Sequence, residues 1–282
     1  MVFVASKIKH FQYVLYPLPA IHASAFKIEC NKFVSLLIIV SFEGQVMRNL
    51  EVCFSPSLIE TYEIKGKLVV LVDILRATST ICTALYHGVK EIIPVASIEE
   101  AKAYKEKGFL VAGERDGKVL DFADFGNSPT NFLGDNLVGQ RIAYSTTNGT
   151  KAVKAAEGCE VLAIGAYLNH TVLSEWILGS GLDVLVYCSG WKNKFNLEDT
   201  LFAGALCESL ISSGKYDTIC DSTLAAMDLW SIAKKDIIGY IQKAAHRERL
   251  RKLGLDDILE YCHTFDLAPV IPVLKGNSIC LL

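Results

Sequence analysis

The chain has 282 residues, 51% of them hydrophobic, and a formal net charge of −3 at pH 7. That length suits one large α/β domain or two small ones, with apolar residues enough for a sizeable core. Near-balanced charge, with no basic stripe interleaved with aromatics, argues against a nucleic-acid partner.

Residues 1–46 are apolar and aromatic and lack clear turn punctuation. The hydrophobic run 33–40 is too short to span a bilayer, so no membrane partner is expected. It also lies late for a signal-peptide core, with no small-residue cleavage pattern close behind it. Met47 opens a conventional strand start at 49–54. Residues 1–46 are therefore read as an N-terminal extension, arising from a start site placed too early, and 47–282 as the functional domain. The alternative is an ordinary N-terminal strand pair packed on the main sheet.

After Ser55-Pro56-Ser57 turns the chain, the valine-rich run 67–73 reads as a parallel strand buried on both faces. It ends in Asp73. Residues 78–87 read as a helix stopped by Gly88. Asp73 and Arg76 thus lie where a strand's carboxyl end meets a helix N-terminus. Open α/β sheets bind ligands there, and unpartnered N–H groups favour anions. Two readings stand: Asp73 holds a cation and Arg76 an oxyanion, or Asp73 caps the helix and Arg76 pairs with a surface acid.

A strand at 91–96 follows. Ser97 and Glu100 form a capping box that opens a helix to Lys107. The strand at 109–112 runs into Gly113-Glu114-Arg115. This βαβαβ alternation implies a parallel sheet with right-handed crossovers. Residues 114–139 form a long polar loop, the kind that is usually functional or mobile. The strand at 141–145 ends in Thr146-Thr147-Asn148-Gly149-Thr150, with a helix running on to Glu157. Then come a strand at 161–164, a helix capped near Asn169 and ending at Gly179, and a strand at 183–188. After a loop at 189–195, Asn196 reads as an N-cap with Asp199 three residues on, opening a helix to about Ser212. Residues 222–261 are mostly helical and amphipathic, and could support a homodimer. Their charged face, from His246 to Lys252, reads as solvated. The tail at 269–274 carries Pro269 and Pro272, which predicts an edge strand or an extended cover. Setting Thr80 on Thr150 also sets Gly88 on Gly158, an echo that ordinary βα recurrence explains nearly as well as duplication. The fold class is α/β: a three-layer αβα arrangement on a mostly parallel sheet, with a helical C-terminal region.

Nine cysteines lie scattered, mostly in apolar runs, without a CxxC pair. This excludes a zinc knuckle and a thioredoxin motif, and reads as reduced, mostly buried thiols of a cytoplasmic protein.

Parallel strands deliver their carboxyl ends to one edge. That edge gathers Asp73, Glu114 and Asp199, the cations Arg76 and Arg115, and the 146–150 turn. Hard acids at 73, 114 and 199 suit Mg²⁺. The turn offers N–H groups and hydroxyls to a phosphate, or is a plain N-cap turn in which Gly149 meets a backbone need. Several phosphatase motifs are excluded by spacing. Cys188 is followed by Lys194 where a Cys-x₅-Arg loop needs arginine, Asp73 is followed by Ile74 and Leu75 rather than by Asp-x-Asp, and Tyr86 precedes His87-Gly88. No Walker loop or Gly-x-Gly-x-x-Gly occurs. No histidine falls in a rim turn; His170, close by, reads as a cap or surface residue.

Together, Val72-Asp73-Ile74-Leu75-Arg76-Ala77-Thr78, Gly113-Glu114-Arg115, Phe125-Gly126-Asn127-Ser128-Pro129, Thr146-Thr147-Asn148-Gly149-Thr150, Asn169, and Leu197-Glu198-Asp199 with Ala203-Gly204 resemble the 2-phosphosulfolactate phosphatase family, the ComB type. The likeness runs in order from about residue 49 to 273. Residues 1–46 fall outside it. Two departures are Ser189, where the family usually has alanine, and Ala123, in the approach to Gly126; they leave substrate fit open. The resemblance implies a Mg²⁺-dependent phosphomonoester hydrolase that converts 2-phospho-3-sulfolactate to sulfolactate and phosphate, an early step of coenzyme M synthesis in archaea that make it. On this reading Mg²⁺ is held by Asp73 with Asp199 or Glu114. Arg76 and Thr146, Thr147, Asn148, Gly149 and Thr150 hold the phosphoryl group. Arg115 takes the sulfonate or carboxylate, and Asn127 and Ser128 close the loop over the site. A carboxylate acting as nucleophile or as water-activating base is the alternative role, for which Asp73 and Asp199 are equally eligible. Two rival functions are a phosphatase of another small phosphorylated hydroxy acid and a non-catalytic phosphate-binding module. The second has little use for three carboxylates beside an anion unless a cation intervenes.

Overall fold

The computed structural model describes residues 47–115, 118–145, 153–252 and 258–282. The expectations for residues 1–46 and for the 146–150 turn lie outside the described residues.

In chain order the first half carries β1 (Arg48–Cys53), β2 (Leu68–Val72), α1 (Ala77–Tyr86), β3 (Glu91–Val95), α2 (Ile98–Glu106), β4 (Leu110–Arg115), β5 (Lys118–Val119) and β6 (Arg141–Ser145). The second half carries β7 (Val161–Gly165), α3 (His170–Ser180), β8 (Val184–Cys188), α4 (Leu197–Ser212), β9 (Tyr216–Asp217) and α5 (Asp221–Ala233). Short helices α6 (Ile237–Ile241), α7 (Ala245–Lys252) and α8 (Ile258–Cys262) lead to the hairpin β10 (Pro272–Lys275) and β11 (Ser278–Leu281).

The strands form one sheet in the order β5-β4-β6-β3-β11-β10-β7-β2-β8-β1-β9. At its heart β2 and β8, buried at every position, pair in parallel from Leu68 opposite Val184 to Val72 opposite Cys188. Their unbroken apolar runs are what strands covered on both faces require. β7 flanks β2 in parallel on the other side. It ends in Gly165, where a Cβ would lie 2.6 Å from Val70 and 2.9 Å from Phe202 of α4. The α/β class, the mostly parallel sheet and the helical C-terminal region agree with the sequence reading.

The tail does not. Pro272 begins β10, and β10–β11 lies between β7 and β3 as an antiparallel insertion in mid-sheet, not at an edge. Proline is tolerated because it is the strand's first residue, and registered pairing with β7 falls on Val273 opposite Ala163. The 114–139 segment is also less irregular than expected. β5 folds back antiparallel on β4, and single 3₁₀ turns occupy Pro129–Phe132 and Asp135–Leu137. In α7, Arg247 is buried and donates to Gln242, contrary to a wholly solvated face. Among the described residues no helix is long and apolar enough to cross a membrane. The eight described cysteines are all free, five of them buried.

Candidate active site

The chain leaves β2 through α1 toward β3 on one side, whereas α4 carries it from the neighbouring β8 the other way, to β9. The connections thus diverge at the carboxyl ends of β2 and β8, which opens a crevice there. Asp73 follows β2, and Asp199 stands in the first turn of α4, just beyond β8.

Asp199 is wholly buried and binds three strands of chain together. Its Oδ1 accepts the Ile74 N–H at 2.9 Å; its Oδ2 accepts the Gly190 N–H at 3.1 Å and the Asn196 amide at 2.9 Å. Asn196 accepts in turn from the Asp199 N–H, the N-cap bond expected from the sequence. Glycine is needed at 190: its φ is +55°, and a Cβ would come 2.1 Å from the Lys194 carbonyl. Burial pushes the Asp199 carboxyl well above the usual range, and the Asp73 charge adds to this, against the pull of the two backbone N–H groups. The two acids therefore act on each other across the crevice.

Asp73 is 9% exposed. Its Oδ1 takes a long bond of 3.4 Å from the Ala77 N–H, so the capping role is present in weak form. Its backbone is fixed by Thr78, which donates its N–H to the Asp73 carbonyl at 2.9 Å and accepts the Asp73 N–H on its hydroxyl at 3.1 Å. The Leu75–Arg76 peptide is cis.

Arg76 pairs with an acid, as the plainer reading had it, but the acid is part-buried and not on the surface. Its guanidinium meets Glu114 at 2.5 Å, with both side chains about one-tenth exposed. The other Glu114 oxygen accepts the Asn127 N–H at 3.0 Å, and the Asn127 carbonyl accepts the Thr80 hydroxyl at 2.8 Å. This chain of contacts reaches from α1 to the end of β4, although β6, β3, β11, β10 and β7 separate β4 from β2 in the sheet. The buried Tyr144 phenol, pushed up by desolvation, feels Arg76, Asp73 and Glu114 together.

The structure thus brings Asp73, Arg76, Glu114, Asn127 and Asp199 into one network. Ser128 is different: its hydroxyl is shared with Thr130 at 2.8 Å in an exposed turn. The backbone of Arg115 pairs with Lys118, and its side chain lies outside the described residues, as does the 146–150 turn. β6 ends at buried Ser145, beside Gly113 of β4, so the chain enters that turn from the same edge. Among the described residues no group of three or more His, Cys, Asp or Glu stands together as a metal-holding set. The three acids divide: Asp73 lies with Asp199, and Glu114 holds Arg76.

Three residues given no role by sequence line the same region. Glu198 is 1% exposed beside Asp199. Tyr167 and His263 are buried, their rings 5.4 Å apart, and the Glu198 charge acts on both. An acid next to Asp199 in the first turn of an otherwise apolar helix was the one available signal; Tyr167 and His263 sit in ordinary apolar surroundings.

The family model described as 2-phosphosulpholactate phosphatase matches residues 53–277. The chain belongs to that family. Among its relatives, a probable 2-phosphosulfolactate phosphatase of Caldanaerobacter subterraneus is 34% identical over 221 residues, which is 77% of this chain and 91% of that protein. Proteins of the same printed name from Gloeobacter violaceus and Thermotoga maritima are 38% and 35% identical, over 72% and 77% of this chain and 86% and 93% of their own. The matched span of the 2-phosphosulfolactate phosphatase family contains every residue of the network, Tyr167 and His263 included.

Buried histidines make this family member's stability pH-dependent. His170 is buried against Phe202 and Phe265, not a surface cap, and desolvation lowers its pKa; the same cause acts on His263. With folded pKa values depressed, the unfolded chain binds more protons as pH falls through the ordinary histidine range near 6.5, so stability drops there. Asp199, with a raised pKa, acts in the opposite sense, so the informative quantity is a difference. Melting temperatures of wild type and His170→Gln, measured between about pH 7.5 and 5.5, should converge as pH falls. Parallel curves would remove His170 from the effect.

Proposed function

We propose that this chain is a phosphoric monoester hydrolase acting on a small anionic substrate of the 2-phosphosulfolactate class, with Mg²⁺ as its cofactor. The observation that carries this is the buried Asp73–Asp199 pair at the β2–β8 crevice, with part-buried Arg76 three residues from Asp73. A buried acid pushed toward its protonated form by its neighbour's charge marks a site that a divalent cation would relieve. Mg²⁺ takes one or two carboxylates and completes its shell with water and phosphate oxygens, so a site without a third acid suits it. Asp73 is the better ligand, because it keeps 9% exposure at the crevice, whereas Asp199 is wholly buried. Asp199 contributes its charge from behind. Glu114, engaged by Arg76 and Asn127, supports the guanidinium instead of the metal.

Held there, the ion would supply polarisation of the phosphoryl oxygens. Arg76, held by Glu114, stabilises the charge that develops on them. Asn127, through its N–H on Glu114 and its carbonyl on Thr80, keeps that pair in place. Thr146, Thr147, Asn148, Gly149 and Thr150 supply further phosphate contacts, and Arg115, with its planar fork of N–H donors, takes the sulfonate or carboxylate. If a carboxylate acts as nucleophile or base, it is Asp73 for the same reason of exposure. The product, sulfolactate, belongs to coenzyme M synthesis, and the free cysteines fit a cytoplasmic setting.

Phosphate release from 2-phospho-hydroxy acids, with and without a sulfonate, tests this. Release should require Mg²⁺, vanish with chelator, return on re-addition, and favour the sulfonate-bearing ester. Chelator-resistant release rejects the cofactor. Equal turnover of all the esters rejects the substrate. No release from any ester leaves a phosphate-binding module.

A further inference from the structure

The hairpin at 191–194 has no part in the scheme above, although it grows out of the crevice itself. Its root is tied to both acid-bearing segments. The Ser189 N–H donates to the Val72 carbonyl at 2.7 Å, one residue before Asp73, and the Gly190 N–H donates to Asp199 Oδ2 at 3.1 Å. Trp191 and Lys194 then exchange two backbone bonds of 3.0 Å, with Lys192 and Asn193 between them. Both central residues have positive φ, +51° and +58°. A tight type I′ turn demands this, and asparagine or glycine usually supplies it; a lysine there is uncommon. Residues kept in such conformations gather at ligand sites, where the surrounding structure holds them.

Here the holding groups are plain. The Asn193 carbonyl accepts the Ser55 hydroxyl at 2.6 Å and the Ser57 hydroxyl at 3.2 Å, and Phe195 meets Phe54 edge-on with centroids 5.4 Å apart. Residues 54–57 follow β1, which lies on one side of β8; β2, with Asp73 just past its end, lies on the other. The hairpin is therefore braced from the β1 side, and its opposite flank borders the crevice. Lys192 and Lys194 are both exposed, and neither has a carboxylate partner among the described residues. The Lys192 ammonium rests instead over the Trp191 ring, 4.7 Å from its centroid. An aromatic face steadies a cation without cancelling its charge. Only two residues of chain, a span of at most about 7 Å, separate Lys192 from the Gly190 anchor on Asp199.

Resting on the phosphatase reading, we propose that Lys192 is the specificity residue that takes the substrate's sulfonate, leaving the carboxylate to Arg115. Besides its phosphoryl group, 2-phospho-3-sulfolactate carries two anions, and Arg115 accounts for one. The planar fork of a guanidinium matches the two oxygens of a carboxylate. A sulfonate spreads its charge over a tripod of three oxygens, which suits a compact ammonium with three donors. Asp73 and Arg76 address the phosphoryl group in the crevice, and the ammonium on its Trp191 platform meets the sulfonate at the rim. A cation there also offsets the acids that would repel an entering anion. The sulfonate takes no part in bond breaking, so its contact is equal in ground and transition states and governs binding, not chemistry.

The test is steady-state kinetics of the full-length, Mg²⁺-loaded protein on 2-phospho-3-sulfolactate and on 2-phospholactate, which lacks only the sulfonate, with calorimetry of 3-sulfolactate binding beside it. Lys192→Gln should raise KM for the sulfonate ester about tenfold with kcat within about twofold, and leave both constants for 2-phospholactate within about twofold. Lys192→Arg, which keeps the charge, should recover most of that loss. Lys194→Gln, equally exposed on the same hairpin, should change neither ester. The affinity for 3-sulfolactate should fall about tenfold in Lys192→Gln. An unchanged KM for the sulfonate ester in Lys192→Gln overturns the assignment. So do equal losses on the two esters, a fall in kcat at constant KM, or a loss that follows Lys194 instead. If the wild type releases phosphate from neither ester, the phosphatase reading fails by itself, and calorimetry decides the subsite. Sulfolactate binding that Lys192→Gln weakens keeps the lysine as a sulfonate-binding residue. Absent or unweakened binding removes it.

Discussion

Asp73→Asn is expected to lower kcat by at least about 1,000-fold, roughly 4 kcal/mol of transition-state stabilisation, without unfolding the protein. Asparagine fills the same volume and can still accept the weak 3.4 Å bond from the Ala77 N–H. The backbone clasp between residues 73 and 78 does not involve the side chain of 73. What is lost is the negative charge at the β2 end of the crevice, and with it the better Mg²⁺ ligand. The Asp73 charge is the second-largest cause raising the buried Asp199 carboxyl, after desolvation. Removing it should hold the melting temperature of the metal-free protein steady or raise it by a few degrees. The same substitution should abolish the rise in melting temperature that Mg²⁺ gives the wild type through linkage. Loss of turnover, loss of the Mg²⁺ shift and retained stability form the expected set. Near-normal turnover would remove Asp73 from the mechanism, and a collapse in stability would make it a structural residue.

What the sequence disclosed was local. The valine-rich run before Asp73 declares a strand by composition, and Ser97 and Asn196 declare helix starts through caps that the structure contains, with bonds to the N–H groups of Glu100 and Asp199. The convergence of residues 73, 76, 114 and 199 was also legible, since parallel strands must deliver their carboxyl ends to one edge; Asn127 was indicated only by the family resemblance. Partner choice within that convergence was not. Glu114 and Asp73 look alike as isolated acids; only the placement of Arg76 against Glu114, across strands far apart in the sheet, divides them into an ion pair and a crevice acid. Register is equally non-local. Pro272 signalled an edge because proline cannot donate to a ladder, yet at the first position of β10 nothing asks it to. His170, Tyr167 and His263 escaped for a further reason: a polar side chain in an apolar stretch carries no mark of whether it will be buried.

Asp199→Ala should cost about 3 kcal/mol or more of folding stability and abolish turnover along with it. Three donors converge on this carboxylate, from Ile74, Gly190 and Asn196. Alanine leaves all three bare in a site with no solvent access at residue 199, and each unmade bond costs about 1–3 kcal/mol. One effect opposes this. The buried acid carries a desolvation cost and repulsion from Asp73, which its raised pKa reports, and alanine removes both. The donors should win, because an acid can shed its charge cost by taking up a proton, whereas bare N–H groups have no such escape. Asp199→Asn separates the two effects. Its amide returns one acceptor oxygen but turns an NH₂ toward a donor, so it should cost about 1–2 kcal/mol despite removing the charge. Urea unfolding at constant m-value measures both. A variant as stable as wild type would mean that the charge cost dominates, and that the bonds to Ile74 and Gly190 do not hold the crevice together. The expected contrast with Asp73 is therefore qualitative: at 73 activity is lost from a stable protein, and at 199 it is lost because the turn that carries Asp73 has come loose.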